Sequence, residues 1–152
     1  LVDKPEAALW LDCGLGKTVI TLTAICQLFD EVRTRGVLIV APKRVMRLVW
    51  PAEIAKWKHT TWLPWTILHG PGKENRLWGK HKAIYLINYE GLLWLKEELR
   101  NIPPEEWPFD MVVWDELSKM KSCSAQRFKA WKTLITKFRR RVGLTGSPAP
   151  NS

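Results

Sequence analysis

Leu11-Asp12-Cys13-Gly14-Leu15-Gly16-Lys17-Thr18 is the stretch that decides the reading of this chain. Ahead of it, Ala7-Ala8-Leu9-Trp10-Leu11 is a short apolar run of strand character. Behind it, residues 17–34 carry Ile20, Leu22, Ile25, Leu28, Phe29 and Val32 at helical spacing. Glycines placed where a strand gives way to a helix are the context of a phosphate-binding loop. Gly14 and Gly16 let backbone N–H groups close around phosphate oxygens, and the helix N-terminus adds its partial positive charge. In such a loop Asp12, Cys13, Gly14, Leu15 and Gly16 surround the phosphates, Lys17 reaches the β- and γ-phosphates, and the Thr18 hydroxyl ligates Mg2+. The strict pattern has glycine at position 11, where this chain has Leu11.

Working outward, apolar runs alternate with amphipathic segments. Strands are expected at 7–12, Val37-Leu38-Ile39-Val40-Ala41, Thr66-Ile67-Leu68-His69, Ala83-Ile84-Tyr85-Leu86-Ile87, Met111-Val112-Val113-Trp114 and Arg141-Val142-Gly143-Leu144. Helices are expected at 17–34, 45–57, 90–100 and 124–138, with 58–82 read as loops around one short strand. Continuous apolar strands separated by helices predict an α/β fold with a mostly parallel central sheet covered on both faces.

Met111-Val112-Val113-Trp114-Asp115-Glu116 supplies a second half to the site, an apolar strand ending in two carboxylates. In a nucleoside triphosphatase the first acid holds Mg2+ and the second orients and deprotonates the attacking water. Asp115 and Glu116 would then share with Lys17 the carboxyl edge of one sheet, where open α/β folds bind ligands. Leu144-Thr145-Gly146-Ser147-Pro148 brings two hydroxyls to that same edge, and its chemistry alone leaves open a simple turn or a part of the site.

Composition narrows the rest. At 152 residues and 46% hydrophobic content, the chain is one domain's worth. No apolar run is long enough to span a membrane and no secretory leader is visible. Leu1 at one end and Asn151-Ser152 at the other read as an excerpt of something longer. Cys13, Cys26 and Cys123 show no metal-ligand or disulfide spacing, which suits a reducing compartment. The net charge of +9 arises within residues 119–141, which hold nine basic side chains and no acid. That segment contains a helix with an expected apolar stripe of Phe128, Trp131, Ile135 and Phe138. Its basic face is either simply solvated or drawn to a polyanion such as nucleic acid. The ten tryptophans read mainly as packing residues; Trp62, Trp65 and Trp78 lie in a basic loop region that allows base stacking but favours packing against Pro64 and Pro71.

The ordered set of motifs resembles the first motor lobe of superfamily-two helicases, specifically the Swi/Snf-type DNA translocases, with the short phage and bacterial members most similar. Asp12-Cys13-Gly14-Leu15-Gly16-Lys17-Thr18 resembles motif I, and Ala41-Pro42-Lys43 followed by Trp50, Glu53 and Lys56-Trp57 resembles motif Ia and the helix behind it. His69-Gly70 with Arg76, Asn88-Tyr89-Glu90, Asp115-Glu116 with Lys121, and Leu144-Thr145-Gly146-Ser147-Pro148 with Asn151 resemble the later motifs in order. Ser118 stands where many relatives have histidine. The resemblance implies a RecA-like P-loop lobe over residues 1–152, using ATP and Mg2+ and stimulated by duplex DNA. It implies that Lys17 contacts phosphates, Thr18 and Asp115 manage Mg2+, and Glu116 activates water. Thr145, Gly146 and Ser147 would couple hydrolysis to domain motion, while Pro42, Lys43, Arg44, Asn88 and Tyr89 would face the DNA backbone without reading sequence. A second helicase lobe bearing an arginine finger would belong to the same polypeptide, so the chain alone is expected to bind ATP weakly and hydrolyse it negligibly. The setting implied is the cytoplasm of a bacterial or phage-infected cell. A strand-separating DEAD/DEAH-type lobe and a catalytically silent DNA-binding or protein-docking lobe are the alternative readings.

Overall fold

The computed structural model describes residue 2 and residues 6–10, 16–116 and 124–145; of residues 7–10 it describes the backbone. The chain order is β1 (Glu6–Trp10), α1 (Lys17–Asp30), β2 (Val37–Ala41), a π-helical segment (Val45–Val49), α2 (Trp50–Lys56), β3 (Trp65–Ile67), α3 (Lys73–Trp78), β4 (Ile84–Asn88), α4 (Leu92–Leu99), β5 (Met111–Trp114), α5 (Ala125–Ile135) and β6 (Arg140–Thr145). The strands form one six-stranded sheet in the order β1-β6-β5-β2-β4-β3. Every pairing is parallel.

β2, β4 and β5 are buried along their whole length, which is why they read as unbroken apolar runs. Their alternate side chains feed two cores. Val37, Ile39, Ile84, Leu86 and Val113 pack under α1 and α2 with Leu22, Ile25, Trp50 and Ile54. Leu38, Val40, Tyr85, Ile87 and Val112 pack on the other face with Leu77, Leu95, Trp131 and Leu134 of α3, α4 and α5. The register pairs Ala41 with Asn88, Trp114 with Gly143 and Trp10 with Thr145, so the strands finish near one another along a common carboxyl edge. No helix among the described residues is long and apolar enough to cross a membrane.

Several local expectations need correction. Helix α1 ends at Asp30, and Val32 lies beyond it with φ 53° and 88% exposure rather than on the apolar stripe. Ile20 is also exposed, and Thr21 takes a buried place on the helix instead. On α5 the buried positions are Ala130, Trp131 and Leu134, while Phe128 lies outward. Trp62 is half exposed, with its ring edge-on to Phe29, and the Trp78 indole donates to Glu98.

Residues 58–82 hold more order than expected, because α3 lies within them. Arg76 explains the turn that precedes it. Its guanidinium donates to three carbonyl oxygens, of Ile67 at 2.8 Å, His69 at 2.6 Å and Pro71 at 3.0 Å. Gly70 and Gly72, both at positive φ, let the chain wrap around that fork. A lysine offers a point charge rather than a planar fork. Arg76→Lys should therefore lower unfolding free energy by about 2 kcal/mol, read as a shift in denaturant midpoint with an unchanged slope.

Candidate nucleotide-binding site

The first turn of α1 and the end of β5 meet across a cleft of 520 Å³. Gly16, at φ 80°, sits in the left-handed region as α1 begins, a conformation that favours glycine. The Lys17 ammonium lies 3.1 Å from Oε1 of Glu116, although 99 residues separate them. Glu116 itself has φ 62°, so the chain turns sharply as it leaves β5. That turn carries the Glu116 side chain toward Lys17. Thr18 and Asp115 line the same cleft.

Asp115 is 4% exposed and held from several sides. Its backbone N–H donates to the Val40 carbonyl at 2.7 Å, and its own carbonyl accepts from the Tyr89 hydroxyl at 2.6 Å. Its Oδ2 accepts the indole N–H of Trp50 at 2.9 Å. Burial pushes its carboxyl above the usual carboxylate range, while the Trp50 hydrogen bond and the nearby Lys17 charge pull it back.

The sequence brings Lys17, Thr18, Asp115 and Glu116 into one place, as expected of a site built from two distant motifs. Gly16 joins them; Asp12, Cys13, Gly14 and Leu15 lie outside the described residues, as do Ser118, Lys121, Gly146 and Ser147. Thr145 is 2% exposed at the end of β6. Sequence reasoning missed the opposite wall of the cleft, formed by Val45, Val49, Glu53, Lys56 and Trp57. The Trp57 indole donates to Glu53 at 2.7 Å, and the Lys56 ammonium lies 4.9 Å from the centre of the Trp57 ring. The signal was the spacing of Trp50, Glu53 and Trp57 on one helix, read only as a resemblance.

The residues named as facing DNA divide. Lys43 and Arg44 are exposed beyond the end of β2, with Pro42 partly so. Asn88 and Tyr89 are not outward-facing, which corrects the expectation for them. Asn88 is 3% exposed and donates to Glu90, whereas Tyr89 stacks on Trp114 at 5.1 Å and spends its hydroxyl on Asp115. Their role here is to brace the strand ends.

The donors fit a magnesium–triphosphate. Mg2+ is usually bound through one or two carboxylates plus phosphate oxygens and water, and Thr18 with Asp115 offers one hydroxyl and one carboxylate beside the Lys17 cation. Among the described residues no group of three His, Cys, Asp or Glu forms a metal cage of its own.

An all-parallel sheet with helices on both faces and this cleft at its carboxyl edge is a RecA-like P-loop lobe. Residues 6–152 match the SNF2-related domain, and the chain belongs to that family. Protein p41 of Acyrthosiphon pisum secondary endosymbiont phage 1 is 31% identical across 99% of this chain and 34% of its own length. The DNA excision repair protein ERCC-6-like of Bos taurus is 27% identical across 93% of this chain and 11% of its length. The chain thus spans about a third or less of these relatives. Among solved structures, the Sulfolobus solfataricus SWI2/SNF2 ATPase core in complex with dsDNA superposes with a TM-score of 0.76 at 28% identity, over 95% of this chain and 28% of that one.

His69 reports the field near the ends of β2 and β3. Burial lowers its pKa below the usual 6.5, and the Lys43, Arg47 and Lys73 charges lower it further against a smaller opposing effect of Glu90. A histidine depressed in the folded state contributes stability above the unfolded value that is lost as pH falls. By NMR the His69 ring should titrate below 6.5, and Lys43→Ala should move its midpoint upward.

Proposed function

We propose that this chain is the ATP-binding motor lobe of a DNA-dependent ATPase that translocates along duplex DNA. The observation that carries the reading is the meeting of Lys17 and Glu116 at 3.1 Å, with Asp115 and Thr18 lining the same cleft. Lys17 would exchange its carboxylate partner for phosphate oxygens, which frees Glu116 to take the proton of the attacking water. Thr18 and Asp115 would hold Mg2+, whose charge offsets that developing on the phosphates. Lys43 and Arg44 beside Pro42, joined by Arg47 and Lys73, offer cations suited to a phosphate backbone and to no particular sequence. The dsDNA bound to the Sulfolobus solfataricus structure supports duplex as the partner.

Residues 1–152 act on this reading as the N-terminal lobe, with Thr145, Gly146 and Ser147 coupling hydrolysis to lobe motion. A second lobe of the same polypeptide supplies the arginine finger, a group worth about 10³–10⁵ in rate. The phage relative supports the cytoplasm of a bacterial or phage-infected cell as the setting.

The test is ATPase activity of the full-length parent polypeptide with duplex or single-stranded DNA. Duplex should stimulate more strongly, and Glu116→Gln should lower the stimulated rate by about 10²–10⁴-fold. Lys17→Ala should abolish nucleotide binding measured with a fluorescent ADP analogue. The isolated chain of 152 residues should turn over negligibly. Stronger stimulation by single strands would favour a strand-separating helicase, and indifference to both substitutions would leave a silent docking lobe.

A further inference from the structure

We infer that Trp50 is a positioning residue for the Asp115 carboxylate, set so that its indole N–H fixes the orientation in which that carboxylate meets Mg2+. The inference rests on the nucleotide reading above and deepens it. Trp50 is wholly buried, yet its single polar atom is not lost in the core: it reaches Oδ2 of Asp115 at 2.9 Å. A core position that needed only volume would be filled by an apolar ring with no donor to satisfy.

The local backbone shows how the indole comes to lie there. Residues 43–56 wind as one helix interrupted by the π-helical segment Val45–Val49. The Trp50 N–H bonds to the Val45 carbonyl, five residues back, and Pro51 follows with no N–H to give. The wider turn accommodates the proline and changes the angle at which Trp50 leaves the helix. Trp50 thereby points to β5 while Val45 and Val49 stay on the cleft wall.

Asp115 has little freedom left apart from its side-chain torsions. The Val40 carbonyl and the Tyr89 hydroxyl fix its backbone on both sides. Trp50 removes the remaining freedom by engaging one oxygen, and Lys17 attracts the carboxylate from the cleft side. Mg2+ demands near-ideal octahedral geometry, so a carboxylate held in one orientation suits it better than a rotating one. Partners that hold a metal ligand in place typically contribute 10–100-fold in metal affinity or activity.

The experiment compares wild type with Trp50→Phe in the full-length parent polypeptide, titrating Mg2+ at fixed concentration of a fluorescent ADP analogue. The Mg2+ midpoint should rise by about 10–100-fold in Trp50→Phe, while nucleotide affinity in EDTA stays unchanged. An unchanged Mg2+ midpoint overturns the inference, and so does an equal loss of affinity with and without Mg2+. A second readout does not depend on the variant folding. In wild-type protein labelled with 15N-tryptophan, the Trp50 indole signal should move when Mg2+ joins bound nucleotide, and a signal indifferent to Mg2+ overturns the inference. Failure of the underlying reading looks different: wild type would bind no nucleotide, or Lys17→Ala would bind it as well as wild type.

Discussion

A carboxylate 4% exposed at the end of a central strand must be held by donors, and the arrangement around Asp115 follows from that requirement. Its partners come from elements far apart in sequence. The Trp50 indole of α2 donates to the carboxylate, the Tyr89 hydroxyl after β4 donates to the backbone carbonyl, and the Lys17 charge at the start of α1 attracts the carboxylate. Burial still outweighs them, since the carboxyl remains pushed above its usual range. The site is therefore a place where negative charge is kept at a cost, with its cations at the rim rather than around it.

Parallel topology is what lets two motifs 99 residues apart share one cleft. Every strand runs the same way, so every strand-to-helix turn falls on one edge. β1 leads into α1 at the flank, whereas β5 sits two strands inward with β6 between them. Lys17 spans that separation because it stands on the first turn of α1, and Glu116 meets it because its positive φ folds the chain back. The backbone conformation at Glu116 is the kind that costs energy in a residue bearing a Cβ, and the contact with Lys17 is what that conformation makes.

Much of this was legible in the sequence because the strongest signals were local and repeated. Fully buried strands read as unbroken apolar runs, and β2, β4 and β5 appear within a residue of where the pattern set them. Glycines followed by Lys17-Thr18, and Asp115-Glu116 after an apolar strand, carried the site. What was not legible depended on contacts across the fold. The short α3 lies among glycines and prolines, and Arg76 organises it by reaching back to three carbonyls that no periodicity announces. Tyr89 was assigned outward because its position resembles a DNA-facing motif, but its hydroxyl finds the carbonyl of Asp115, just past β5. Trp50 was read as core, correctly, and nothing in its spacing says that its one N–H ends on Asp115.

Net charge summed over a segment does not say where its cations act, for a physical reason. The basic excess of residues 119–141 includes Arg139, Arg140 and Arg141, which lie where β6 begins, at the edge opposite the cleft. There they serve the fold: Arg140 is buried and donates to the Val2 carbonyl, Arg141 pairs with Glu6, and Arg139 approaches Asp110. The charge-balanced remainder holds Lys43, Arg44, Arg47 and Lys73. Three of these four charges help depress His69, so the local potential is positive there although the summed charge is not. An exposed field falls off within about 8–10 Å at physiological salt, so the arrangement within that distance matters and the chain's total does not. Acids elsewhere cancel the count without cancelling the field, and that is how a neutral-looking stretch can present a cationic rim beside the cleft.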